Sequence, residues 1–386
     1  MLTPKDLWQA LSEDLSYRES KGLFRSPLES QALGPTRILR GGKQLLHFSS
    51  NDYLGMAWHP QVREEYQEIA GQNGVGSGAS PLILGASAPY FRLVRTLAQW
   101  HGCESAVVFP SGYAANLGTI TALAGPEDLI LSDALNHACL IDACRLSKAT
   151  VKIYPHRDVE ALGRLLASSR NQFRMAFVIT DTVFSMDGDI APIEQIDSLC
   201  REFDAIGIAD EAHAGGVIGK HGTGVLDQAQ VDRSHWIKTG TLSKAIGCVG
   251  GYVTGSNILC QTLHHRSRSF IYSTALPPAL LAAASRSIEI IQHMDLQRHR
   301  LVELSSYLRR ELEQAGYRTA SDTTPIVPIY VRDPHEALEL SARLLKEGIY
   351  VPAIRPPTVP PEGCLLRVSL NAAHTIDDCQ KLLQIL

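Results

Sequence analysis

A chain of 386 residues, 45 % apolar and 20 % charged, is long enough for two or three packed lobes and holds no apolar stretch near the roughly 20 residues that span a bilayer. A formal net charge of −4, with lysine and arginine no denser than scattered pairs, excludes a nucleic-acid footprint and favours a small-molecule substrate. The 8 cysteines form neither a CxxC pair nor a metal-ligating spacing, and Met1 to Asp6 lacks the basic start and apolar middle of an export signal, so reduced thiols in a cytoplasmic protein are expected.

In chain order, residues 1–25 read as a helix with a mixed polar face, and Gly41-Gly42-Lys43 as a turn between short strands at 37–39 and 45–48. Residues 1–50 are thus expected to form an N-terminal helix and arm. Over 51–285, short apolar runs at 106–109, 129–131, 175–179, 206–209 and 236–239 alternate with longer helical stretches. Repeated β-then-α units predict an α/β large domain with a mainly parallel sheet covered by helices. After Pro277-Pro278 the texture changes to a helical segment at roughly 279–316, and a smaller α+β domain is expected over 286–386, with strands at 326–331 and 365–370 and helices at 335–347 and from 375.

Open α/β sheets bind ligands at the carboxyl ends of their strands. Three expected strands end in chemistry: Ile206 to Ala209 in Asp210-Glu211-Ala212-His213, Trp236 to Thr239 in Gly240-Thr241-Leu242-Ser243-Lys244, and Ala106 to Phe109 in Pro110-Ser111-Gly112-Tyr113. A carboxylate for a protonated ring nitrogen, an amine for an aldehyde and a small-residue turn opening a helix for a phosphate together suit pyridoxal 5′-phosphate (PLP). Alone, a lysine after a strand is usually a solvated charge and an aspartate there a helix cap. The run Gly74-Val75-Gly76-Ser77-Gly78 lacks a preceding apolar strand and the Gly-Lys-Ser/Thr ending of a phosphate loop, so it reads as bending backbone near a dimer interface or substrate, and a nucleotide-binding module is the weakest alternative.

Longer strings extend the pattern. Ser49-Ser50-Asn51-Asp52-Tyr53-Leu54-Gly55, Ser111-Gly112-Tyr113-Ala114-Ala115-Asn116, Asn136-His137-Ala138, Val183-Phe184-Ser185-Met186-Asp187-Gly188-Asp189, Asp210-Glu211-Ala212-His213 and Gly240-Thr241-Leu242-Ser243-Lys244 occur in order over nearly the whole chain. Together they resemble the α-oxoamine synthases, and the strings Ala353 to Pro360 and Leu366 to His374 resemble the branch that joins L-alanine to a pimeloyl thioester.

The resemblance implies the fold type I of PLP-dependent transferases and a homodimer with shared active sites. It implies that Lys244 holds PLP as a Schiff base and Asp210 anchors the ring nitrogen. It further implies phosphate contacts from the Gly112 and Tyr113 amides and from Thr241, with Ser273 and Thr274 supplied by the partner subunit. His137 would stack on the ring, with Ser185 and His213 near its phenolic oxygen. Arg367, assisted by Asn51, would clamp the amino-acid carboxylate, a task suited to a planar bidentate donor. Thr358 and Arg25 would meet the acyl substrate, whose carrier is acyl carrier protein or coenzyme A.

Pro81 stands where the family commonly has arginine, and Tyr90 and Val94 where a histidine and an acidic residue are typical. These departures fall on acyl contacts and on the loop over 81–94, and they leave the cofactor motifs whole. The alternatives are another α-oxoamine synthase, such as a 2-amino-3-ketobutyrate ligase, and a non-catalytic scaffold of the same fold.

Overall fold

The computed structural model describes residues 4–386, so the first three residues of the expected N-terminal helix lie outside the described residues. The chain divides into two compact units: one holds Asn51–Ser185 and Asp189–His299, the other the stretch ending at Ser50, Met186–Gly188 and Arg300–Leu386.

The larger unit is built on seven strands: β1 (Ser105–Phe109), β2 (Leu129–Asp133), β3 (Thr150–Tyr154), β4 (Ala176–Asp181), β5 (Ile206–Asp210), β6 (Trp236–Thr241) and β7 (Gly251–Gly255). Their order is β1-β7-β6-β5-β4-β2-β3, and β7 alone runs antiparallel to its neighbours. This is the α/β fold with a mainly parallel central sheet. Every residue of β2 and β4 is buried, as parallel strands covered on both faces require, which is why they read as unbroken apolar runs.

Helices α1 (Gly112–Leu123) and α2 (Ala138–Ser147) follow β1 and β2. Ile120 and Leu140 from these helices meet Ile130, Phe177, Ile179 and Ile208 from the strands in one apolar core. Two strands had no expectation in the sequence. Edge strand β3 exposes most of its residues, and β7 begins and ends in glycine, so neither carries a clean apolar period.

In the other unit, Ile326–Tyr330 and Ala353–Ile354 pair antiparallel with Leu365–Ser369. A second sheet joins Gln31–Ala32, Arg37–Arg40 and Lys43–His47 to Ile349–Tyr350. Phe48 stacks on His374 at 4.3 Å, and His374 Nε2 lies 3.0 Å from the His47 carbonyl. Residues 31–48 thus share a sheet and a ring stack with the C-terminal ones, while the helix Pro4–Ser20 buries none of its residues.

The break expected at 285 differs too. The helical segment is two helices, Pro278–Ile291 and Asp295–Gln314, and the first packs on Pro60–Asn73 and Ala88–Trp100 of the larger unit. Pro277-Pro278 marks a helix start, a role that suits proline at the first turn, and not a domain boundary. Pro81 begins a short π-helical turn, Pro81–Gly85, where the Ile83, Leu84 and Gly85 amides all point at the Ser80 carbonyl. Gly74 and Gly78 take φ of +74° and +69°, the bending expected of that run.

One close approach is sharply testable. A Cβ on Gly207 of β5 would lie 2.4 Å from the Trp236 ring, whose indole N–H is held by Asp197 at 2.8 Å. Gly207→Ala is expected to destabilise the larger unit by about 1–3 kcal/mol, read as a lower urea midpoint at unchanged slope.

Candidate active site

β4 and β5 end together in two carboxylates. Asp181 and Asp210 are register partners across the parallel pair, at 3 % and 5 % exposure. Asp210 accepts from Asn116 Nδ2 at 2.6 Å and from the Ala212 amide at 2.8 Å. Asn116, on α1, in turn accepts from Thr239 Oγ1 at 2.6 Å, so strand β6 and helix α1 fix the orientation of the Asp210 carboxyl. The next residue, Glu211, accepts from the Val225 and Leu226 amides at 2.9 and 2.8 Å, which pins the turn after β5.

His137 caps α2. Its Nδ1 accepts from the Cys139 amide at 3.2 Å, and its own amide donates to Asp181 Oδ2 at 2.7 Å. Burial lowers the His137 pKa; the Asp210 charge opposes this, and the Lys244 charge adds to it. Burial also pushes Asp181 well above the usual carboxylate range, reinforced by the Asp210 charge and opposed by the His137 amide and by Lys244. Lys244, half-buried on the turn after β6, is therefore within electrostatic reach of both groups.

His213 is buried, with Nδ1 2.6 Å from the Tyr53 hydroxyl, which also lies 3.3 Å from Asn51 Oδ1. At the start of α1, Ser111 Oγ accepts from the Ala114 amide at 3.0 Å. Among the described residues no group accepts from the Gly112 or Tyr113 amides. A Cβ on Gly112 would lie 3.2 Å from Thr241 Cβ, so the bare backbone brings Thr241 beside those two donors. Thr241 Oγ1 donates to the Gly250 carbonyl at 2.9 Å. Ser185 is half-buried, and Ser273 and Thr274 line a small cavity with Phe109 and Pro110, the end of β1 that leads into Gly112.

In the other unit Arg367 is 6 % exposed and donates to Ser369 Oγ at 2.6 Å, so it is not the ordinary strand-surface arginine that its position alone would suggest. Arg25 donates to the Arg355 and Pro356 carbonyls at 2.9 and 2.8 Å and reaches Thr358 Oγ1 at 3.5 Å. Arg355, not singled out in the sequence, is buried against the Gly22 carbonyl, and its pKa is lowered by burial and by the Arg25 charge.

The larger unit thus offers a fixed carboxyl at a strand end, a lysine, a helix-capping histidine and two unengaged amides at a helix N-terminus. This donor set fits PLP, with anion, amine and phosphate-binding backbone each on its own element. The profile of the class I and II aminotransferases matches residues 43–386. The chain belongs to that family.

An 8-amino-7-oxononanoate synthase of Trichlorobacter lovleyi is 43% identical over 375 residues, 97% of this chain and 95% of the relative, which puts the chain in the 8-amino-7-oxononanoate synthase branch. A serine palmitoyltransferase from S. paucimobilis, solved with PLP and myriocin bound, superposes with a TM-score of 0.93 at 28% identity, over 100% of this chain and 97% of that one. The structure of an 8-amino-7-oxononanoate synthase from Francisella tularensis gives 0.77 at 27% identity, over 88% and 96%. The fold is that of the type I PLP-dependent enzymes.

Four residues of the site carry no motif-independent signal: Asn116, Asp181, Tyr53 and His156. Asn116 and Tyr53 stand inside quoted strings, but only tertiary contacts give them partners. His156 lies 2.9 Å from Asp133 and 2.7 Å from Asp189, with Arg157 3.2 Å from Asp189. Asp133 accepts the Leu135 amide at 2.8 Å, so this cluster anchors the loop that leads to His137.

Burial opposes the charge on His156, but hydrogen bonds to Asp133 and Asp189, with their charges, outweigh it and raise its pKa to about 9. A folded value above the unfolded one of about 6.5 gives stability that is fully present below about pH 6.5 and lost as pH rises through about 9. His156→Asn should therefore cost about 1–2 kcal/mol at pH 6, allowing for solvent screening, and little at pH 10. Urea unfolding of both proteins across that range measures the closing gap.

Proposed function

We propose that this chain binds PLP and catalyses the decarboxylative condensation of L-alanine with a pimeloyl thioester, giving 8-amino-7-oxononanoate, CO2 and the free thiol of acyl carrier protein or coenzyme A. The observation that carries this reading is the Asp210 carboxyl, buried at a strand end and held by Asn116 among His137, Asp181 and Lys244. Bound PLP supplies an electron sink for the α-carbon of the amino acid.

The chain's residues do the rest. Lys244 would hold the cofactor aldehyde, and its amine, freed when the amino acid takes its place, would carry the α-proton. Asp210 would anchor the ring nitrogen, the Gly112 and Tyr113 amides with Thr241 would hold the phosphate, and His137, Ser185 and His213 would hold the ring and its phenolic oxygen. Arg367, with Asn51, takes the alanine carboxylate, while Arg25 and Thr358 meet the acyl chain.

The protein works as a cytoplasmic homodimer in which Ser273 and Thr274 reach the partner's phosphate site. Val75, Ile83 and Leu84, at 94%, 80% and 74% exposure, are the kind of bare apolar surface that a second copy covers.

The purified protein, offered alanine, glycine or serine with pimeloyl, acetyl or palmitoyl thioesters, should turn over alanine with the pimeloyl thioester; turnover confined to glycine with acetyl-CoA would overturn the reading. Parallel assays with pimeloyl-CoA and the acyl-carrier-protein thioester identify the carrier. Lys244→Ala should lose the yellow, borohydride-sensitive form and all turnover. Asn116→Ala removes a charge-assisted bond to Asp210 and should weaken PLP binding roughly tenfold, measured by dialysis and absorbance.

A further inference from the structure

A main-chain amide can only donate, so any atom facing one must accept. Two such amides bracket His137. The Cys139 amide points at Nδ1 from 3.2 Å, and the His137 amide itself points at Asp181 Oδ2 from 2.7 Å. The thiol of Cys139 sits 2.9 Å from the same Nδ1 and accepts from Asn116 Nδ2 at 3.2 Å; because Nδ1 already accepts from the amide, the thiol can bond it only by donating its S–H. Two donors therefore converge on Nδ1.

Asp181 is held in turn. Its amide donates to Asn136 Oδ1 at 2.9 Å, and Asn136 Nδ2 donates to Ser132 Oγ at 3.0 Å and to the Ile179 carbonyl at 2.8 Å. The ends of β2 and β4 are thereby stitched to the turn that carries the histidine.

We propose that Asp181 is a positioning residue which, with the Cys139 amide, locks the His137 imidazole in one orientation and one tautomer, Nδ1 accepting and Nε2 carrying the proton. The charged groups that reach this ring are Asp210, Lys244 and Asp142. With Nδ1 engaged, the free N–H of the ring is a neutral donor on the side away from α2. The tautomer follows from the protein's own contacts; its meaning as a donor beside the cofactor rests on the PLP reading.

The test is nitrogen-15 NMR of histidine-labelled protein, with and without added PLP, the His137 signals being identified by their loss in His137→Gln. A single Nε2–H tautomer is expected in both states. An Nδ1–H or charged ring in a chain that binds PLP would overturn the assignment alone; an Nε2–H ring in a chain that never retains PLP would leave it standing and sink the cofactor reading instead.

Asp181→Asn keeps an acceptor for the His137 amide, so it should preserve both the tautomer and the visible circular dichroism of the bound cofactor. Asp181→Ala should mix the tautomers, change that signal and weaken PLP retention roughly tenfold. Cys139→Ala keeps the amide and should leave the tautomer unchanged. An unaltered ring and spectrum in Asp181→Ala, or a switched ring in Cys139→Ala, contradicts the proposal, and the wild-type spectrum decides the tautomer even where a variant fails to fold.

Discussion

Two acidic side chains buried at the ends of adjacent parallel strands set the central constraint in this protein. Strands lie about 4.8 Å apart, and two negative charges at that separation repel by about 3 kcal/mol even at an effective dielectric constant of 20. The fold resolves the conflict unequally. Asp210 receives the Asn116 amide and the Ala212 N–H, whereas Asp181 receives the His137 N–H and is pushed toward its protonated form by burial and by Asp210. Two carboxyl groups with distinct partners can thus serve distinct ends, one for a ligand and one for the scaffold.

Together the two carboxyls are held by hydrogen bonds from more than one element, which is what makes such a site rigid. Lys238, fully buried on β6, lies 2.9 Å from Asp227 and 3.2 Å from His101 Nδ1, behind the same strand that delivers Thr239 to Asn116. Burial lowers its pKa against the pull of Glu211 and Asp227. On the other side, the His156 cluster grips Asp133 and Asp189. These networks bury charge at a cost that a purely apolar core would avoid, and they hold the segments that follow β2 and β5.

Much of this was legible in the chain. The apolar runs of β1, β2, β4, β5 and β6 stand out because both faces of each strand are covered, and the residues after three of them include Asp210, His213, Thr241, Lys244, Gly112 and Tyr113. The strands β3 and β7 were hidden, one by an exposed face and one by terminal glycines. The domain division was hidden as well, because the pairing of Lys43–His47 with Ile349–Tyr350 joins residues some three hundred positions apart, and no local pattern records such a partner.

Sequence alone determined which chemical groups are available and that they follow strand ends, since side-chain period and strand burial are local consequences of composition. Tertiary structure alone decided what each group touches. Asn116 on Asp210, Tyr53 on His213, Asp181 on the His137 amide and Arg25 on the Arg355 carbonyl are separated by 94, 160, 44 and 330 residues. Hydrogen bonds act over about 3 Å of space regardless of chain distance, so the orientation of the carboxyl and the tautomer of the histidine exist only once the sheet has assembled.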